Sequence, residues 1–179
     1  FTGNSCSVAA AKYEGLVSWR ELIKSWSVSV TGNIIGCVLF AVAASYVGLL
    51  TGGTADLCAS TALNKCCGSI GQTLVKAILC NWMVSLAVYL AGASNDMAGK
   101  LVGVWFPIST FVAIGLEHSV ANMFILPAAM LMKVPLTIGD ILIRNIIPVL
   151  AGNAIAGSFV VAGSYSYQFG RLGEKRRKE

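Results

Sequence analysis

The chain has 179 residues, 56% hydrophobic and 12% charged, with a net charge of +5 at pH 7. Soluble domains carry roughly 25% charged residues, so an ordinary soluble domain is excluded; recurrent apolar runs of about 20 residues point to a polytopic α-helical membrane protein. The runs are continuous rather than alternating, which excludes a β-barrel, and five of the thirteen cations sit in the tail "RLGEKRRKE", the basic flank of a membrane helix rather than a nucleic-acid surface.

The chain opens on "FTGNSCSVAAA". A polar knot, Thr2 to Ser5, runs into an apolar stretch from Asn4 to about Gly15, as a capped helix start does. That stretch reaches about 18 Å, roughly half a bilayer core. "LVSWRELIKSW" carries charge on one face and suits the interface, with Trp19 and Trp26 at headgroup level. Residues 26–50 read as a full span, broken by "TGGTAD". A loop follows with Lys65 and the pair Cys66-Cys67, in part helical. Residues 70–92 form a second full span, and "GASNDMAGK" is a turn.

The region 100–132 is apolar but contains "GLEHSVANM". A Glu-His pair inside an apolar run is costly and marks a functional site. The pattern predicts a broken helix: one half before Gly115, a non-helical stretch at Glu117-His118, and a second half from Ser119. "KVPLTIGD" reads as a loop, residues 144–169 as the last span and 170–179 as a basic cytoplasmic tail. With the tail inside, Lys12, Arg20, Lys24 and Lys100 join it there, and Lys65, Lys76, Lys133 and Arg144 lie outside. That bias obeys the positive-inside rule. The six cysteines lack a CxxC spacing and meet a single histidine. They read as small packing residues, with a loop disulfide at Cys58 as the alternative. No metal or cofactor is expected, and nucleotide-binding and soluble-enzyme motifs are absent.

"RELIKSWSVSVTGNIIGCVLF" from residue 20 resembles "DILIRNIIPVLAGNAIAGSFV" from residue 140. At an offset of 120, Lys24 meets Arg144 and Gly32-Asn33 meets Gly152-Asn153. A short half-helix precedes each copy. Units of span, broken span and span have an odd number of crossings, so two copies insert with opposite orientation, the inverted-repeat plan of many transporters. Residues 70–169 make a complete second unit and residues 1–50 the remainder of a first. The expectation is therefore a partial transporter domain over 1–179 that lacks its first helix and half of the second. Phe1 then stands at a helix break.

His118 is the central candidate. An imidazole in the membrane can donate and accept hydrogen bonds and take a proton; the alternative is a structural histidine bonded to backbone. Thr2 is its counterpart at the other break. Both half-helix N-termini aim N–H groups at the midplane, which suits a small anion. Phe1 and Phe111 neighbour the breaks and can close a pore, or simply pack. Lys65 can raise the anion concentration at a mouth. Asn81 is a buried polar group that needs a partner in a neighbouring helix or the pore. Glycines 32, 36, 152 and 157 permit close helix packing.

"FTGN", "AILCNWMVSLA", "EHSVANMF" and "IPVLAGNAIAG", in this order, resemble the formate/nitrite transporter family over essentially the whole chain. The second block departs at Ser85, where a cysteine is usual. The resemblance implies an all-α, aquaporin-like six-helix bundle with an inverted repeat and two broken helices, assembled as a homopentamer with one pore per protomer. It implies passage of small monovalent anions such as formate, nitrite, lactate or hydrosulfide, often with a proton. Thr2 and His118 match its central polar pair. Phe1, Val84 and Phe111 match its constriction, and Lys65 and Asn81 match positions that attract or orient the anion. Glu117, beside His118, joins the expected pathway. The sequence reading is a multi-pass membrane channel or transporter, not an enzyme. Its partners are a small anion, a proton and the bilayer. An aquaporin-type neutral-solute pore lacks its paired Asn-Pro-Ala motifs here, and a non-transporting membrane subunit would not explain a buried histidine at a helix break.

Overall fold

The computed structural model describes residues 1–177, with side chains to residue 174. Among these residues every regular element is a helix. They are α1 (Thr2–Tyr13), α2 (Trp19–Tyr46), α3 (Gly52–Cys67), α4 (Ile70–Ala93), α5 (Met97–Ala113), α6 (Ser119–Leu131), α7 (Ile138–Phe169) and α8 (Arg171–Arg177). Helix α7 is continuous but contains two π-helical tracts, Ile141–Ile146 and Ala156–Gly163. By length and composition α2, α4 and α7 are each able to cross a membrane. α5 and α6 are shorter apolar helices joined through residues 114–118.

Capping chemistry sets the boundaries. In α2 and α4, Ser18 with Glu21 and Ser69 with Gln72 form capping boxes, each pair satisfying two otherwise orphan N–H groups. The Ser18 box starts α2 at Trp19, so the expected interfacial segment is instead the first turns of the first span, with no break before Tyr46. The expected loop before residue 70 is largely helix α3. Its first turn holds Gly52-Gly53, and the chain break falls earlier, at positions 47–51. The last span likewise begins earlier than expected, because Thr137 and Asp140 box its start. The polar knot at Thr2 does not cap α1. The N-cap is Phe1, without a side-chain cap, and Thr2 lies inside the helix. The expected break after residue 113 is present. Gly115 adopts φ +70, and Leu116 N–H returns to Phe111 O, a left-handed stop that glycine makes without a Cβ penalty.

Packing is reciprocal. The half-helix α1 packs mainly on the second π tract of α7, and the half-helix α6 packs mainly on α2. Each short helix thus leans on the long helix of the opposite half, as two inverted copies require. α4 lies between α5 and α7. The α4–α7 contact is close: a Cβ on Gly152 would sit 2.6 Å from Ala77 Cβ and 2.7 Å from Leu74 O. Small residues such as Ala41, Ala62, Ala77 and Ala128 are fully buried, while Trp105, Phe106 and Phe159 are exposed. Small residues inside with large apolar ones outside is the pattern of helices packed in lipid, where close approach rather than water exclusion drives association. All six cysteines are free. Cys58 Sγ donates to Ile125 O at 3.7 Å, so the alternative of a loop disulfide at Cys58 does not hold.

Candidate functional site

Two half-helix N-termini meet at the centre of the bundle. His118 caps α6, and its Nδ1 accepts the Ala121 N–H at 3.1 Å. A ring nitrogen that accepts carries no proton, so this geometry selects the neutral tautomer protonated on Nε2. Nε2 lies 3.3 Å from Oγ1 of Thr2, the first residue of α1. The Phe111 ring stacks on the imidazole with centroids 5.2 Å apart and planes 2° from parallel, which fixes the ring orientation. Phe111 also joins Cys80 and Val84 in a buried apolar cluster. One polar pair, Thr2 and His118, therefore borders an apolar wall.

A second polar layer holds the break in place. The Glu117 carboxylate accepts from Lys65 Nζ at 3.1 Å, from Asn122 Nδ2 at 2.6 Å and from Asn145 Nδ2 at 3.1 Å. Lys65 also donates to Leu116 O at 3.4 Å. Asn153 accepts the Ser119 N–H at 3.0 Å and donates to Ala77 O at 2.8 Å and Glu117 O at 3.2 Å. Buried polar groups require such partners, and here they tie Glu117 and Ser119, on either side of the His118 cap, to α3, α4 and α7. Asn145 lies inside the first π tract and Asn153 between the two tracts. π-helical turns of this kind often occur where a helix serves a site.

Asn81 Nδ2 donates to Ser5 Oγ at 2.8 Å and Asn153 O at 2.7 Å, so this amide clamps α4 to α1 and α7. Its Oδ1 is buried and, among the described residues, has no partner. Lys65 lies on helix α3, where Glu117 neutralises it. Glu117 in turn directs its carboxylate into the asparagine network rather than to His118. Phe1 stacks edge-on against Trp26 at 5.9 Å and lies outside the Phe111–Val84 cluster. A cavity of about 380 Å³ lies against Lys65, Phe111, Leu116, His118 and Asn122. It leads from α3 to the histidine.

Sequence reasoning passed over Ser5, Asn122 and Asn145, and read Asn153 only as part of the repeat. One signal was available: an asparagine inside an apolar helix needs a buried partner. Asn33, the counterpart of Asn153 at the 120-residue offset, has a buried Nδ2 with no partner among the described residues.

A family model described as Formate/nitrite transporter matches residues 1–167. An uncharacterized transporter, YrhG, of Bacillus subtilis (strain 168) is 41% identical over 99% of this chain and 66% of its own length. A probable formate transporter of Methanothermobacter thermautotrophicus is 37% identical over 94% of this chain and 67% of its own. The formate channel BtFdhC of Bacillus thuringiensis is also 37% identical, over 92% of this chain and 63% of its own. The chain thus spans about two thirds of the length of these curated relatives. A solved FNT family ion channel superposes with a TM-score of 0.87 at 27% identity, over 93% of this chain and 68% of that one. A pentameric formate channel with formate bound shares the fold, with a TM-score of 0.79 at 23% identity over 87% of this chain and 69% of that one.

Proposed function

This chain belongs to the formate/nitrite transporter family, and from that premise we propose that it supplies most of a transmembrane pathway for small monovalent anions, formate or nitrite among them, coupled to a proton through His118. The observation that carries the reading is the His118 Nε2 edge facing Thr2 between two half-helix N-termini. Two helix N-termini and an Nε2–H donor attract an anion. The Phe111–Val84 wall then opposes its passage as an ion. The alternation is what a proton-coupled pathway needs: capture as an anion, crossing as a neutral acid.

The cap bond constrains how His118 handles the proton. In the resting tautomer only Nε2–H is free to donate. To carry charge, Nδ1 must gain a proton and give up the Ala121 N–H, a cap worth about 1 kcal/mol. An anion at Nε2 offsets that loss, so charging is linked to anion arrival. Transfer from Nε2 to the anion then leaves the remaining proton on Nδ1. The α6 cap re-forms once that proton is lost and Nε2 regains one.

In this reading Thr2 and His118 form the polar centre, and Phe111 and Val84 the constriction. Phe1 narrows the path from its position at the head of α1. Lys65 and Glu117 set the potential of the outer cavity as a pair. Asn81 positions α4, and its unpartnered Oδ1 takes a hydrogen bond from the permeating acid. Residues 1–50 and 70–169 act as the two inverted halves. The protomers assemble as a homopentamer, and the tail is cytoplasmic, on the same side as Lys12 and Arg20. Uptake of formate and nitrite into proteoliposomes, measured against pH, tests the reading. His118→Asn is expected to abolish the pH dependence and slow uptake. An unchanged rate and pH profile would remove the proton role.

A further inference from the structure

Away from the Thr2–His118 centre, a groove of about 280 Å³ runs between α1, the first turns of α2 and residues 154–159 of α7. Ala9, Leu22, Ile155 and Phe159 give it apolar walls. Trp19 and Trp26 stand along α2 at its edge, and Trp19 is 61% exposed. The one charged side chain in the lining is Lys12, whose ammonium rests over the Trp19 ring, 5.1 Å from its centroid.

The charges around this end of the bundle are unequally committed. Glu14 accepts from the Ser166 hydroxyl and the Arg171 N–H. Glu21 closes the capping box with Ser18. The acidic groups are therefore held by their own partners. Lys12, Arg20 and Lys24 form no ion pair among the described residues. Arg20 and Lys24 are exposed and one turn apart, each following a groove-lining residue, Trp19 and Ile23. The apolar slot thus ends, at the level of Trp19, beside cations that no ion pair among the described residues holds, while Trp26 lies deeper, against Phe1 and Asn4.

We propose that this groove holds one anionic phospholipid, with an acyl chain in the slot and its phosphate among Lys12, Arg20 and Lys24. A volume of about 280 Å³ holds less than one turn of a helix about 10 Å across, but suits a length of acyl chain. Tryptophans favour the headgroup level. Lysine and arginine lay their apolar stems along such a slot while keeping the charge at the phosphate. Clustered basic residues at a membrane surface favour anionic over zwitterionic headgroups.

The test is native mass spectrometry of the complete, assembled protein, titrated with phosphatidylglycerol and with phosphatidylcholine of the same chains. The expected result is one retained phosphatidylglycerol per chain, favoured at least tenfold. The triple variant Lys12→Gln, Arg20→Gln, Lys24→Gln is expected to lose that preference and keep its assembly. Ile155→Trp, which fills the slot and leaves the charges, is expected to release the lipid. Equal retention of the two lipids, an unchanged preference in the triple variant, or a polypeptide segment found in the groove of the assembled protein would each overturn the proposal.

Discussion

Breaking the ion pair between Lys65 and Glu117 should destabilise the protein strongly and asymmetrically. The pair is 3.1 Å apart, with side chains only 12% and 5% exposed. At an effective dielectric of about 20 the attraction is roughly 5 kcal/mol, and removing one member of a buried pair costs about 3–5 kcal/mol. The two sides differ in what remains. Without the carboxylate charge, the Lys65 ammonium falls back on Leu116 O at 3.4 Å. Without the ammonium, the carboxylate keeps the amides of Asn122 and Asn145. Glu117→Gln should therefore cost more than Lys65→Met. For a chain of this size, the larger loss lowers the melting temperature by about 10 °C. The double variant should be more stable than Glu117→Gln, because it leaves no uncompensated charge. Thermal unfolding of the purified assembly, read as a double-mutant cycle, measures this. If the two single effects simply add, the pair is not coupled and the electrostatic account of the outer layer is wrong. Transport gives an independent reading. Glu117→Gln leaves net positive charge at the cavity and should lower the formate KM, while Lys65→Met should raise it.

Three further outcomes follow from the geometry. Gly152→Ala places a methyl against Ala77 and the Leu74 carbonyl. It should cost about 1–3 kcal/mol, read as a lower melting temperature. Phe111→Ala removes both the constriction wall and the ring stacked on His118. Anion conductance should rise and its pH dependence weaken, and unchanged currents would count against Phe111 as a barrier. The Ser166 hydroxyl, followed by the Arg171 backbone N–H, holds the Glu14 carboxyl below the usual carboxylate range. Stability from a depressed carboxylate is present above its unfolded value of about 4.3 and is lost as pH falls through the folded value. Protection of the Arg171 amide from hydrogen exchange, corrected for the intrinsic pH dependence of exchange, should therefore be lost only below about pH 4. Glu14→Gln should show the lower protection already at pH 7.

Much of the fold was legible in the sequence. The break at Gly115, the half-helix from Ser119 and the second span at about 70–92 follow from hydrophobic runs interrupted by residues that resist the helix or the lipid. The errors have a common cause. "TGGTAD" and "KVPLTIGD" look like loops by composition, yet a helix follows Thr51, whose side chain makes no cap, and another starts at the capping box of Thr137 and Asp140. Composition reports what a segment tolerates, and the capping geometry decides where it turns helical. Thr2 illustrates the same limit. In sequence it resembles a cap, but α1 starts one residue earlier and frees the hydroxyl for His118.

What the sequence by itself determined was the class of solvent, the order of the long apolar helices, and the break at Gly115. These are local properties, fixed by the cost of burying charge in lipid and by backbone hydrogen bonds that close within each helix. The tertiary structure decided how the polar residues are used. Asn122, Asn145 and Asn153 hold the break only because α6 and α7 bring them within hydrogen-bond reach of Glu117, which lies up to 36 positions away. Lys65 and Glu117, 52 residues apart, became a neutral pair rather than a free cation and a free acid. A charge or an amide in the membrane needs a partner. The sequence states the need, and only the packing of distant helices supplies the partner.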